Sequence, residues 1–78
     1  MIKGKPMKKL RSRMIECDLE GRDCAEAIGR SEGYWSARIM EREYFSLRDI
    51  YILCDLMEIP YEEIPIYFPP ISALQKAS

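Results

Sequence analysis

The chain has 78 residues, a length that predicts one domain with a single modest core and excludes a deep substrate cleft with its own supporting shell. Its 12 basic and 13 acidic residues give a formal net charge of −1 at pH 7, which argues against binding nucleic acid through electrostatics alone. We therefore expect a bundle of short helices, no enzyme and no small-molecule substrate.

The charges are distributed unevenly along the chain. Residues 1–13 contain six basic residues and no acidic one, whereas residues 49–63 contain five acidic residues and no basic one. This asymmetry predicts one end that can face phosphates and another end that avoids them, although a solvated basic face is an equally good interpretation. Residues 1–6 are expected to form a basic arm ahead of the folded domain.

The three cysteines predict reduced core residues of a cytoplasmic protein. Cys17, Cys24 and Cys54 are odd in number, lie far apart and each falls within an apolar helical pattern. The sequence has no histidine and no closely spaced cysteine pair, so we expect no metal and no cofactor. It also lacks an apolar run of signal-peptide or membrane-spanning length, and we expect neither secretion nor a membrane partner.

Two amphipathic helices are predicted first. Apolar residues recur with helical spacing at Met7, Leu10, Met14 and Cys17, which predicts a first helix over residues 7–17. A polar turn at residues 18–21 then leads into a second helix over residues 22–28, and Gly29 ends it. The second helix is expected to bury Cys24, Ala25 and Ile28.

The third predicted helix has two faces of different character. It begins after Ser31, which caps it, and continues to about residue 40 or 41. Trp35 and Ile39 lie four residues apart and are its expected core anchors. The opposite face is mostly small and uncharged, and it consists of Glu32, Gly33, Ser36, Ala37 and Met40, with Tyr34 and Arg38 on its flanks.

A fourth helix and an apolar tail complete the chain. Ser46 is the expected cap of the fourth helix, whose apolar face is predicted at Leu47, Ile50, Cys54 and Met57. A short helix over residues 60–64 follows, and the prolines after it forbid a long helix. The remaining segment, residues 65–78, is unusually apolar and must either fold back over the core or bury itself against a partner.

Residues 24–36 have the pattern of a helix-turn-helix. Ala25 is small where the two helices cross, Gly29 can adopt the left-handed conformation of the turn, and Ser31 can cap the next helix. Residues 10–64 resemble the Cro and lambda-repressor-like family of phage and bacterial regulators. The resemblance rests on these three residues, on Trp35 and Ser36, and on the segments 45–47 and 59–64. The resemblance implies an all-α, compact bundle of four to five helices, here a DNA-binding domain over residues 7–64 with an extended apolar tail over residues 65–78.

The chain also departs from the pattern of that family. Arg30 follows the turn glycine where the family commonly has an aliphatic residue, and Gly21 and Arg22 stand where it often has Thr or Gln. Gly33 lies inside the predicted recognition helix at a cost of about 1 kcal/mol relative to Ala, so either the helix starts raggedly or close backbone approach is useful. Glu32 repels phosphate but can accept a hydrogen bond from a cytosine amino group.

The resemblance implies a sequence-specific transcriptional regulator, most simply a phage or prophage repressor of the Cro type that binds a double-stranded DNA operator as a homodimer. The candidates for contact with base edges are Glu32, Gly33, Ser36, Ala37 and Met40. The candidates for contact with phosphates are Arg22, Arg30, Tyr34, Arg38 and Arg42. The tail is predicted to pair two subunits through Ile66, Phe68 and Ile71.

The alternative hypothesis is a helical protein-interaction module, such as an antitoxin, an anti-repressor or a regulatory subunit. The acidic balance and the apolar tail favour it, and residues 64–74 would then be the docking surface.

Overall fold

The computed structural model describes residues 7–68, which form helices and connecting turns and contain no strand. The helices are α1 (Lys8–Glu16), α2 (Gly21–Ile28), α3 (Glu32–Ile39), α4 (Leu47–Met57) and α5 (Ile64–Tyr67), and a 3₁₀ turn at Tyr61–Glu63 leads into α5. The prediction of an all-helical protein with four to five helices is therefore confirmed. The predicted arm at residues 1–6 and the end of the tail, residues 69–78, lie outside the described residues.

Three residues predicted to begin or end helices act as the sequence predicts. Gly29 ends α2 with φ of 73°, in the left-handed region that glycine adopts without strain. The Ser31 hydroxyl accepts a hydrogen bond of 3.1 Å from the backbone N–H of Tyr34 and so caps α3. The Ser46 hydroxyl caps α4 in the same way, with a bond of 3.2 Å from the backbone N–H of Asp49.

The core is assembled from the apolar faces of the first four helices. α2 packs against both α3 and α4, and α1 packs against α5. Burial confirms most of the predicted core positions of the first three helices, namely Leu10, Met14, Cys24, Ala25, Ile28, Trp35 and Ile39. Cys17, also predicted in the core, is only partly buried and packs at its edge. Burying these side chains is the main source of the stability of so small a bundle.

The inward face of α4 differs from the prediction. Leu47 was expected in the core and is 62% exposed, so this prediction is wrong, while Cys54 and Met57 are buried as expected. The inward stripe instead begins at Asp49, which is 0% exposed, and continues through Leu53, four residues later. Hydropathy alone places a carboxylate in solvent, so the predicted apolar stripe of α4 left out Asp49. The side chain is nevertheless buried, because polar partners inside the protein hydrogen-bond to it.

Two arginine side chains cap the C-terminal ends of helices. Arg13 of α1 donates to the carbonyl oxygens of Met57 and Glu58 at the end of α4, over 2.9 and 3.2 Å. Arg48 of α4 donates over 3.1 Å to the carbonyl oxygen of Ile28 at the end of α2. Cations at helix C-termini satisfy unpaired carbonyls and stabilise the helix dipole. Arg13 is thus tied to the fold and contributes less to a free basic surface than the sequence suggested.

The first part of the predicted apolar tail folds back onto its own chain. Phe68 is 5% exposed and its ring lies edge-on to Phe45, with centroids 5.6 Å apart. Phe45 in turn packs against Trp35 at 5.4 Å, so an aromatic row joins α3 to the end of the described chain. Of the three residues predicted to pair subunits, Phe68 is therefore internal, Ile66 is 56% exposed, and Ile71 lies outside the described residues.

Candidate nucleic-acid interface

The outward face of α3 is open to solvent where the sequence predicts contact with bases. Glu32, Gly33, Ser36 and Met40 are exposed, and Ala37 is half-buried. Trp35 and Ile39, on the inward face, fix the orientation of the helix by their burial. The structure therefore brings four of the five predicted base-edge residues together on one accessible surface, with the fifth at its margin.

Gly33 has room for a side chain. A Cβ built at this position lies 3.8 Å from the hydroxyl oxygen of Ser31, an ordinary contact distance, and its backbone is not in the left-handed region. Nothing packed against it within residues 7–68 requires a glycine. The absence of a side chain there leaves the backbone at the start of α3 accessible to a partner.

Gly21, in contrast, is required by the packing of α3. A Cβ at this position would lie 2.8 Å from Nε1 and 3.0 Å from Cδ1 of Trp35, closer than real Cβ atoms approach other atoms. The indole of Trp35 therefore occupies the space that a larger residue at the start of α2 would need. This contact accounts for a glycine at the start of α2.

Three of the predicted phosphate-binding residues form one cluster. The guanidinium carbon of Arg38 lies 3.5 Å from the centroid of the Tyr34 ring, and that of Arg30 lies 4.9 Å from the same centroid. Both distances are within the range of cation–π attraction. We call Arg30, Tyr34 and Arg38 the arginine–tyrosine cluster. It lies at the turn between α2 and α3 and on the flank of α3.

The cations of this cluster have no acidic partner in the described part of the chain. No salt bridge within residues 7–68 involves Arg30 or Arg38. One amino group of Arg38 donates to the carbonyl oxygen of Tyr34 over a long 3.4 Å, and its buried Nε has no hydrogen-bond acceptor among these residues. The cluster is therefore a concentrated positive charge whose hydrogen-bonding capacity is largely unused.

The hydroxyl of Tyr34 is held by a buried carboxylate. It donates a hydrogen bond of 2.7 Å to one oxygen of Asp49, and Arg48 donates over 3.0 Å to the other. Since Arg48 also caps α2, these polar contacts connect α2, α3 and α4. Sequence reasoning missed Asp49 and Arg48. Helical spacing was the one sequence signal that could have indicated the burial of Asp49, because it lies four residues before the buried Leu53.

The remaining predicted phosphate contacts lie apart from this cluster. Arg22 is exposed and its guanidinium is 3.6 Å from the carboxylate of Glu20, which neutralises part of its charge. Arg42 is exposed beyond the end of α3 and takes part in no salt bridge within residues 7–68. Arg11, one of the six basic residues of segment 1–13, reaches the sulfur of Met40 over 3.3 Å at the end of the outward face of α3.

Three further features of residues 7–68 concern metal-ligand grouping, the Cys24 thiol and helix length. Within residues 7–68 no group of three or more Cys, Asp or Glu side chains is arranged to hold a metal ion. Burial raises the pKa of the Cys24 thiol to about 11, so this thiol is protonated at neutral pH and is a poor nucleophile. None of the helices in this part of the chain is both long enough and apolar enough to cross a bilayer.

Comparisons of the chain with protein families, curated proteins and solved structures found no match. Any inference about its function therefore rests on the residues of the chain itself.

Proposed function

We propose that this chain is a sequence-specific DNA-binding regulator of transcription, of the Cro-repressor type, in which α2 and α3 form a helix-turn-helix and α3 enters the major groove. The observation that carries the proposal is the arrangement of Arg30 and Arg38, which have no acidic partner within residues 7–68, on the flank of an exposed helical face. A recognition helix needs such an arrangement, because phosphates flank the groove in which the bases are exposed.

The cluster suits contact with phosphate. Arginine side chains bind phosphate oxygens through a planar set of N–H donors, and stacking on an aromatic ring leaves the edges of the guanidinium free to donate. Arg42 is a further exposed cation beyond the end of α3 and lies apart from the cluster, whereas Arg22 has to leave Glu20 to reach a phosphate. We therefore assign the strongest phosphate contacts to Arg30 and Arg38.

The outward face of α3 suits contact with base edges. Glu32 can accept from a cytosine amino group, Ser36 can donate or accept, and Met40 can contact a thymine methyl group. Gly33 allows the helix to approach the groove closely, which gives a reason for a glycine that the packing does not require. Ala37 is half-buried and contributes less.

As a homodimer on an inverted repeat, such a protein excludes RNA polymerase by occupying its operator. Digestion of the DNA upstream of its own gene in the presence of the protein tests this. We expect two protected half-sites separated by about 10 base pairs or a multiple of one helical turn. Absence of protection at about 50 mM salt, where phosphate contacts are strongest, would refute the proposal.

A second candidate function is a protein-interaction module, and one observation favours it. Several large apolar side chains on and after α4 are exposed, namely Leu47, Tyr51, Leu56, Tyr61 and Ile66. Two of them, Tyr51 and Tyr61, already form a ring pair with centroids 4.9 Å apart. An exposed apolar surface of this kind is typical of an interface with another protein, including a second copy of the chain.

Amide hydrogen exchange with and without DNA separates the two candidates. The DNA-binding proposal predicts slower exchange in α3 when an upstream duplex is added. Exchange in α3 that is unaffected by any duplex favours the interaction module and moves the search to the surface of α4.

A further inference from the structure

Asp49 is an acidic side chain in the interior of the protein, with 0% of its surface exposed. Burying a carboxylate is costly unless it is paired and hydrogen-bonded. Asp49 is the third residue of α4, where an acidic side chain commonly turns back to its own helix cap. Its two oxygens instead accept hydrogen bonds from the Tyr34 hydroxyl at 2.7 Å and from Arg48 at 3.0 Å. The carboxylate is thus directed toward α3.

The ring that Asp49 holds is the surface on which two cations rest. Arg38 lies 3.5 Å and Arg30 lies 4.9 Å from its centroid. Like charges that share one ring repel each other, and Arg38 also carries a buried Nε with no acceptor within residues 7–68. An anion near the cluster would relieve this repulsion. The ring is the contact that both guanidiniums have in common, and its hydroxyl is held by Asp49.

We infer that Asp49 is a positioning residue for phosphate binding. It acts through the hydroxyl of Tyr34 and keeps the Tyr34 ring, and with it Arg30 and Arg38, in one arrangement that receives a backbone phosphate of duplex DNA. The inference rests on the proposed function, since phosphate is the anion that a helix on DNA would bring to this flank. Asp49 itself, being buried, does not touch DNA.

The advantage of this arrangement is preorganisation. A free arginine side chain has many rotamers, and ordering it at the moment of binding reduces affinity. In this structure both guanidiniums already lie against the Tyr34 ring, and that ring is anchored at its far end by a hydrogen bond to the Asp49 carboxylate. Releasing the anchor should weaken DNA binding although every positive charge remains.

The test compares Tyr34→Phe with Tyr61→Phe. Tyr34→Phe keeps the aromatic ring and removes only the hydroxyl that Asp49 binds. Tyr61→Phe is a matched control, because the Tyr61 hydroxyl donates a similar bond of 2.8 Å to the exposed carboxylate of Asp55 outside the cluster. For each protein, NMR measures the ring-current shift of the Arg38 side-chain protons without DNA, and fluorescence anisotropy measures Kd for a duplex at several salt concentrations at 10 °C.

We expect upfield-shifted Arg38 protons in the unchanged protein and in Tyr61→Phe, and shifts close to those of an unstacked arginine in Tyr34→Phe. We also expect Tyr34→Phe to raise Kd about tenfold and to make the slope of log Kd against log salt shallower by about one to two units. If the Tyr34 hydroxyl served the fold alone, its removal would lower the unfolding midpoint and leave the Kd and the salt slope of the folded protein unchanged.

Three results overturn the inference, and they are distinguishable. If Arg38 has no upfield shift in the unchanged protein, the stack does not form in solution. If Tyr34→Phe matches the unchanged protein in Kd and slope, Asp49 has no positioning role and DNA binding stands. If the unchanged protein binds no duplex, the proposed function fails as well, and Asp49 serves only to connect the helices.

Discussion

The two glycines at the starts of α2 and α3 should respond in opposite directions to the same substitution. Gly21 and Gly33 each lie in the first turn of a helix, and neither has a backbone conformation that an alanine would resist. They differ in their surroundings. A Cβ at position 21 would lie 2.8 Å from the indole of Trp35, whereas at position 33 it meets nothing nearer than 3.8 Å outside its immediate neighbours.

The magnitude follows from these distances. Alanine is favoured over glycine within a helix by up to about 1 kcal/mol, and Gly33→Ala should gain part of this in the free energy of unfolding. Gly21→Ala has the same gain but forces Trp35 to move, and overpacking of a core typically costs about 1–3 kcal/mol. Trp35 also packs on Phe45, so it cannot move without disturbing the aromatic row. We expect Gly21→Ala to be destabilised by about 1–2 kcal/mol, which lowers Tm by roughly 5–15 °C.

Urea unfolding followed by fluorescence measures both variants. The chain has one tryptophan, and it is the residue that Gly21 contacts, so the signal reports on the site itself. Far-UV circular dichroism provides an independent probe of the same transition. If Gly21→Ala is as stable as the unchanged protein, or if both variants shift in the same direction, the packing of α2 against Trp35 is not as described.

Three further predictions follow from the core, the thiols and the outward face of α3. Phe68→Ala should lower the free energy of unfolding by about 3–5 kcal/mol, measured in urea, because it leaves a cavity beside the aromatic row; an unchanged midpoint would mean that this residue does not pack into the core. At pH 8 a thiol reagent should modify the partly exposed Cys17 first, and the raised pKa of Cys24, about 11, together with its burial, should delay its modification until the protein unfolds; equal rates would contradict this. Ser36→Ala should change the base preference and leave the salt slope intact, whereas Arg38→Ala should weaken binding to all duplexes and reduce the slope by about one unit; the same effect of both variants in anisotropy titrations would contradict their separate roles.

The first four helices could be predicted from the sequence because their boundaries are set locally, whereas the helix predicted over residues 60–64 is a 3₁₀ turn at Tyr61–Glu63 followed by α5 at Ile64–Tyr67. Gly29 and Ser31 carry the conformation and the hydrogen bond that end one helix and begin the next, and both act within a few residues of their own position. The apolar spacing of α1 to α3 is likewise a local signal. These parts of the fold required no knowledge of which helices are neighbours.

The contacts that organise the candidate site could not be predicted in this way. Asp49 is inside because Tyr34 and Arg48 meet it there, and Tyr34 comes from a different helix. Phe68 is internal because Phe45 offers it a partner 23 residues earlier in the chain. Partners so far apart in sequence leave no periodic pattern. Hydropathy alone therefore places Asp49 in solvent and makes Phe68 a candidate for contact with a second subunit.

DNA binding itself is tested most directly by the salt dependence of affinity, measured by fluorescence anisotropy. Two duplexes are compared, the DNA upstream of the protein's own gene and an unrelated sequence, and three proteins are used: the unchanged protein, Arg38→Ala and Lys9→Ala. Lys9 is a suitable control because it lies on the other side of α1 from Arg11, the residue that reaches Met40 of α3. It is two residues from Arg11, about 200° around the helix, and lines a groove beside Tyr67.

We predict selective binding to the upstream duplex that weakens steeply with salt, a slope shallower by about one unit in Arg38→Ala, and little change in Lys9→Ala. Equal, weak affinity for both duplexes, or a slope that Arg38→Ala leaves unchanged, would contradict the account of this protein as a regulator that binds DNA through α3 and the arginine–tyrosine cluster.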